Sequence, residues 1–224
     1  MSHRCPPAPR RTYHHGDLRN ALLAAAETIV EREGIPALTL RALARAAGVS
    51  HAAPAHHFGD LVGLLSELAA VGYTRLTTRF AEAMAAVGPA PDRRLRAMGQ
   101  AYVGFARAHP GLFQLMFRAE RLDPARPALR AAMDAAGAAL RNAIAARTGT
   151  PASALQAVAQ AAALWSLVHG FSVLLIDGRL RGLLAALPEG EDAETLLEAV
   201  FAVTDVAAPA GPDREVFVAA AECA

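Results

Sequence analysis

The chain has 224 residues, a formal net charge of +1, and 54% hydrophobic but only 5% aromatic residues. That length holds one or two domains with a sizeable core. The near-neutral balance excludes a protein that binds nucleic acid through total charge alone, so any such role must rest on local charge. Alanine, the strongest helix former, dominates the apolar residues, and β-branched runs are scarce, which points to an all-α protein. All 22 basic residues are Arg. Cys5 and Cys223 lie near opposite ends, without the spacing of a zinc site or a disulfide framework. There is no basic segment followed by an apolar secretory core at the N-terminus. The longest strongly apolar uncharged run, Ala161 to Ile176, falls short of the ~18 residues expected of a spanning helix. A soluble cytoplasmic protein with no membrane partner is expected.

Residues 1–12, rich in Pro, Arg and His, read as an arm without periodicity. Its Arg4, Arg10 and Arg11 suit either phosphate contacts or a merely soluble tail. A first helix is expected from a cap at Asp17 to Glu33, with Leu18, Ala21, Leu22, Ala25, Ile29 and Val30 as its apolar stripe and Gly34 as its stop. Thr39 caps a second helix, Gly48 closes it, and Ser50 caps a third. A long fourth helix follows from Asp60 through Val87, and a fifth from Asp92 to Ala108. The apolar segment LFQLMF comes next, then a helix to Arg147. Thr150 and Pro151 fit a cap followed by Pro at the first helical position, opening a helix that runs to Asp177. It is apolar almost all round from Ala161 to Ile176, so it must be buried or face another subunit. A last helix is expected over Ala193 to Val206, and residues 209–224 read as a tail.

The stretch TLRALARAAGVSHAAPAHHF, Thr39 to Phe58, has the form of a helix-turn-helix. Ala42, Ala44, Ala46, Ala47 and Gly48 are small enough to let two helices meet. The second of them opens on Ser50, His51, Ala52 and Ala53, short or polar residues suited to base edges. Thr39 and Ser50 mark helix N-termini that attract phosphate, and Arg41 and Arg45 add charge beside them. Any Ala-rich helical hairpin can produce such a turn, so the pattern alone leaves both readings open.

Residues 13–70 resemble the DNA-binding domain of TetR/AcrR-type transcriptional regulators. YHHGDLRNALLAAAETIVEREG resembles that family's first helix, and LTLRALARAAGVSHAAPAHHF its helix-turn-helix, ending on His57 and Phe58. HPGLFQLMF at 109–117 and WSLVHGFSVLLIDGRL at 165–180 resemble the branch with a WHG effector domain, through Trp165, His169 and Gly170. The resemblance implies a helix-turn-helix domain over 13–60 and a helical ligand-binding and dimerisation domain over 61–208. It implies a homodimer that sets two recognition helices on a palindromic double-stranded operator and leaves it when a small apolar effector binds, most often as a repressor. Thr39, Arg41, Arg45, Ser50, His51, Ala52, Pro54, His56 and His57 are the DNA-binding candidates.

Two positions depart from the family pattern. Ala55 stands where the family usually carries Tyr, and Leu61 where it usually carries Lys or Arg, both of which contact phosphates. The departures favour either compensation by Arg41, His51, His56 and the arm, or a helical small-molecule binding protein with weakened or lost DNA binding. Six of the eight histidines lie in the first 60 residues. His56 and His57 are adjacent on a helix and point about 100° apart, so they do not chelate one ion easily, and no metal is expected.

The candidates for lining an effector pocket are Tyr102, Phe105, Leu112, Phe113, Met116, Phe117, Trp165, His169, Phe171 and Leu174. They are mostly apolar, with His169 as a polar group to fix orientation. Taken one by one, each reads more readily as core, whereas for the set as a whole the family resemblance favours a pocket. No Gly-rich phosphate loop, nucleophile elbow or metal-ligand spacing is present, so neither an enzyme nor a cofactor is expected.

Overall fold

Ten α-helices, with no strand among the described residues, make up the computed structural model, which describes residues 15–204. The expected arm and tail, with Arg4, Arg10 and Arg11, lie outside those residues. The first three helices are α1 (His15–Glu33), α2 (Leu40–Ala46) and α3 (Ala52–Phe58). Then come α4 (Leu61–Ala86), α5 (Pro91–Ala108), α6 (Pro110–Met116) and α7 (Pro127–Thr148). The last of the described residues form α8 (Leu155–Ile176), α9 (Arg181–Ala185) and α10 (Ala193–Thr204). Short 3₁₀ turns at Ile35–Ala37 and Ala119–Arg121 join α1 to α2 and α6 to α7.

Helix α1 begins at His15, ahead of the cap expected at Asp17. Its buried face is Leu22, Leu23, Ala26, Ile29 and Val30, rotated from the expected stripe so that Ala21 is exposed. The Thr39 hydroxyl accepts the Ala42 amide at 3.0 Å and starts α2. The end of α2 is closed by paired bonds, from the Val49 amide to the Ala44 carbonyl at 3.0 Å and from the Gly48 amide to the Arg45 carbonyl at 3.3 Å. This is the Schellman closure, and it needs the left-handed backbone that Gly48 adopts at φ +65°.

The start of α3 differs from expectation. Helical geometry begins at His51, no side chain caps the helix, and the Ser50 carbonyl takes the Ala53 amide at 3.0 Å. A tight turn with His51 already helical leaves the Ser50 hydroxyl no capping role. Asp60 caps α4, accepting the Gly63 amide at 2.7 Å. Pro151 does not open α8, because 151–154 forms a turn and the helix starts at Leu155 after Ala154. Starting there, α8 has 22 residues and is long and apolar enough to cross a bilayer, which corrects the shorter length read from the apolar run alone. Only 22% of its apolar window is buried in the single chain, while its inner face packs into the helical body.

One apolar cluster runs from Leu22 in α1 through Leu43, Phe58, Leu68, Phe105 and Leu112 to Phe201 in α10. Truncating any fully buried Leu in it costs about 2–5 kcal/mol. Helix α4 is the common spine. It packs against α3 at its start and against α5, α6 and α7 along its length. Arg19 of α1 reaches α4 through Glu67 at 2.6 Å, with its guanidinium over the buried Phe58 ring.

Candidate DNA-reading head and effector cavity

The turn at Gly48 sets α3 across α2 and leaves one side of both helices open to solvent. Thr39, Arg41, Arg45, Ser50, His51, Ala52 and His56 are exposed there, and His57 is half-buried. Residues 51 and 55, and 52 and 56, sit one turn apart on α3 and share a face. Pro54 does not belong to that face. It is buried, since position 54 points at the domain core, and a proline in the first turn removes no helical bond that the turn needs. Ala55 is exposed beside His51, whereas Leu61 is half-buried and packs on the core. Neither Arg41 nor Arg45 pairs with a carboxylate among the described residues.

A second feature lies in the body of the molecule, a cavity of about 340 Å³ between α4, α5, α7 and α8. Tyr73, Leu76 and Phe80 of α4 form one wall, and Met98, Gly99 and Tyr102 of α5 another. Helix α7 contributes Met133, Ala136, Gly137, Leu140 and Arg141, and α8 contributes Val158, Ala161, Ala162, Leu164, Trp165 and Val168. Phe117, at the end of α6, closes the set.

Of the residues expected at a pocket, Tyr102, Phe117 and Trp165 line this one. Phe105, Leu112, Phe113, Met116 and Phe171 are core instead, each at most 7% exposed. Helix α6 packs on α1, α4 and α5, and its Phe113 lies against Tyr102, Phe117 and His169 behind the cavity wall rather than in the cavity. Phe105 turns towards His109 and lies under the Arg79 guanidinium. Leu174 is 41% exposed on the outer side of α8.

His169 stands behind the wall. Its Nδ1 shares a hydrogen bond with the Tyr102 hydroxyl at 2.9 Å, and its ring packs edge-on against Phe117 at 4.5 Å between centroids. Burial lowers its pKa, which favours the neutral ring, and the bond to Tyr102 holds that hydroxyl in place. The Trp165 indole N–H donates to the same hydroxyl at 3.4 Å. Burial also pushes the Tyr102 phenol up, and the Tyr73 phenol up to about 12. The α4 and α7 walls were not among the expected lining, because residue spacing marks a helix face but not that the face borders a cavity. Met133, Ala136, Gly137 and Leu140 follow the i, i+3, i+4, i+7 rule for one helix face.

Residues 22–68 match the family described as bacterial regulatory proteins, tetR family, and residues 95–204 match the tetracyclin repressor-like C-terminal domain. The chain belongs to the TetR family of transcriptional regulators, and its helix-turn-helix is that family's DNA-binding element. It is a regulator and not an enzyme. A protein of unknown function from Rhodococcus sp. RHA1 is similar over 90% of this chain and 100% of its own, with 33% identity and a TM-score of 0.73. The TetR family transcriptional regulator PfmR from Thermus thermophilus shares the fold at 21% identity and a TM-score of 0.58, over 85% of this chain and 98% of its own. The ketosteroid transcriptional regulator KstR2 of Mycobacterium tuberculosis does so at 17% identity and a TM-score of 0.54, over 83% and 92%. Among curated proteins none matches.

Proposed function

We propose that this regulator is a soluble cytoplasmic repressor. As a homodimer it holds a palindromic double-stranded operator and releases it when a small apolar effector enters the cavity. The observation that carries this reading is the physical continuity between the two sites. Phe117 lines the cavity at one end of α6, and the amides of Gly111 and Leu112 at the other end are held by Glu31 of α1. A ligand that displaces Phe117 therefore acts on the helix that seats the reading head.

The division into a head over residues 13–60 and a body over 61–208 follows the same logic, with α4 as the lever between them. Arg41, Arg45, Thr39 and Ser50 serve the phosphates, and His51, Ala52, His56 and His57 the base edges and groove wall. The homodimer is supported by α8. Leu155 and Leu174 are exposed on it away from the cavity, apolar surface that a second copy would cover.

Selection of genomic DNA by the purified protein tests the reading. A palindromic site, bound at moderate salt and released by apolar ligands, is the expected result. Sequence-independent binding that vanishes as salt rises would overturn it. Ala55 and Leu61 favour a second reading, a ligand-binding protein with weakened DNA contacts. Under that reading no operator is recovered until Ala55→Tyr and Leu61→Lys are introduced together.

A further inference from the structure

The cavity lining has four polar side chains, Tyr73, Tyr102, Trp165 and Arg141. Three of them are committed within the protein. The Tyr73 hydroxyl donates to the Met116 carbonyl at 3.0 Å. The Tyr102 hydroxyl is shared with His169 at 2.9 Å, and the Trp165 indole N–H donates to that hydroxyl. Arg141 alone has neither a hydrogen bond nor an ion pair among the described residues. Its neighbour at i−4 is Gly137, and a Cβ there would lie 2.9 Å from the Arg141 Nη1, so the guanidinium lies folded over a glycine. A glycine in a helix interior costs about 1 kcal/mol relative to Ala, and here its bareness gives the cation a seat at the cavity rim.

We infer that the effector is an apolar monocarboxylate, its hydrocarbon or aryl body in the cavity and its carboxylate on Arg141; this rests on the effector reading above. The fixed fork of a guanidinium suits a carboxylate in two parallel hydrogen bonds. The inner lining offers an ionised head no free donor, and a carboxylate buried there would lose its hydration. Only the rim, where Arg141 is exposed, holds both the charge and the remaining water. That fixes the orientation as head outward and body inward. The walls, with Leu76, Phe80, Met98 and Leu140, accept either an alkyl chain or a ring.

The test compares acids with alcohols of the same body, octanoate with octanol and phenylbutanoate with phenylbutanol. Calorimetry gives the affinity and the emission of Trp165 gives the location, since it is the single tryptophan of the chain and lies in the cavity wall. The acids are expected to bind about three- to tenfold more tightly than the alcohols, a range set by a partly exposed charge pair. Arg141→Gln should bring the acid-to-alcohol ratio towards one, and Arg141→Lys should keep most of it. Equal binding of acids and alcohols, or a ratio untouched by Arg141→Gln, overturns the carboxylate inference and leaves the apolar effector standing. Binding of neither class, or heat without a change in Trp165 emission, overturns the inference, and the former overturns the effector reading with it.

Discussion

Glu31, in the last turns of α1, accepts the Leu112 amide at 2.9 Å, and its second carboxylate oxygen takes the Gly111 amide at the same distance. One side chain of the reading head thus satisfies two of the open amides at the start of α6. Glu31→Ala leaves both unpaired in a half-buried contact, which should cost about 1–3 kcal/mol of stability. A urea denaturation curve measures it. The same variant should bind operator with little response to effector, because the head is no longer held to α6. A fully retained ligand response would show that the signal travels through α4 alone.

Gly63, one turn into α4, lies against the end of α3, where a Cβ would collide with the Phe58 carbonyl oxygen and crowd Arg126. The Phe58 carbonyl is backbone and cannot move aside as the Arg126 side chain can. Gly63→Ala should therefore destabilise the fold by about 1–3 kcal/mol or more, with a matching fall in the thermal midpoint. Gly104, with nothing within 4 Å of its Cβ position, supplies the control. Gly104→Ala should be neutral or slightly stabilising.

Leu61 occupies the first turn of α4, half-buried where the family usually has a cation. Leu61→Lys should steepen the salt dependence of operator binding by about 0.9 per protomer, or roughly two units per dimer. The slope is the better measurement, because the exchange also removes apolar packing and lowers stability. An unchanged slope would mean that the residue at 61 does not approach a phosphate.

The His169 pKa lies below its ordinary 6.5, because burial disfavours the charged ring. On acidification the unfolded chain takes up this proton first, so stability falls as pH drops from about 6.5 towards the native value and is flat outside that window. His169→Phe should lose that component and keep the aromatic packing. Denaturation curves between about pH 5 and 8 will show a shallower pH dependence in the variant. Equal slopes in both proteins would assign the acid sensitivity elsewhere.

Leu174 is 41% exposed on the outer side of α8. Leu174→Glu places a charge where a second copy is proposed to pack, so sedimentation should show monomer at concentrations where the parent protein is dimeric. A dimer of unaltered strength would move the interface off this face.

The helical architecture was legible because its signals are local. Thr39 and Asp60 act as caps within three residues of the amides they hold, and Gly48 supplies a backbone angle that the turn requires. The Ser50 cap misled because a hydroxyl in a turn can either cap or face water, and the chain gives no local sign of which. Pro54 misled because a position near a helix start says little about which way its side chain points.

The sequence by itself determined the longer helices, the helix-turn-helix and the family, since these depend on periodicity, capping and motif order over short stretches, but it marked neither α6 nor α9 as a helix. Only the tertiary structure decided which side chains face the cavity, because a cavity is a gap left by the offsets of four helices and no spacing rule marks its position. That is why Phe105, Phe113 and Phe171 proved to be core, while Tyr73, Phe80 and Arg141 came forward. It also brought Glu31 to Gly111, partners 80 positions apart. No local pattern announces such a pair, because only the packing of α1 on α6 brings the carboxylate to the open helix end.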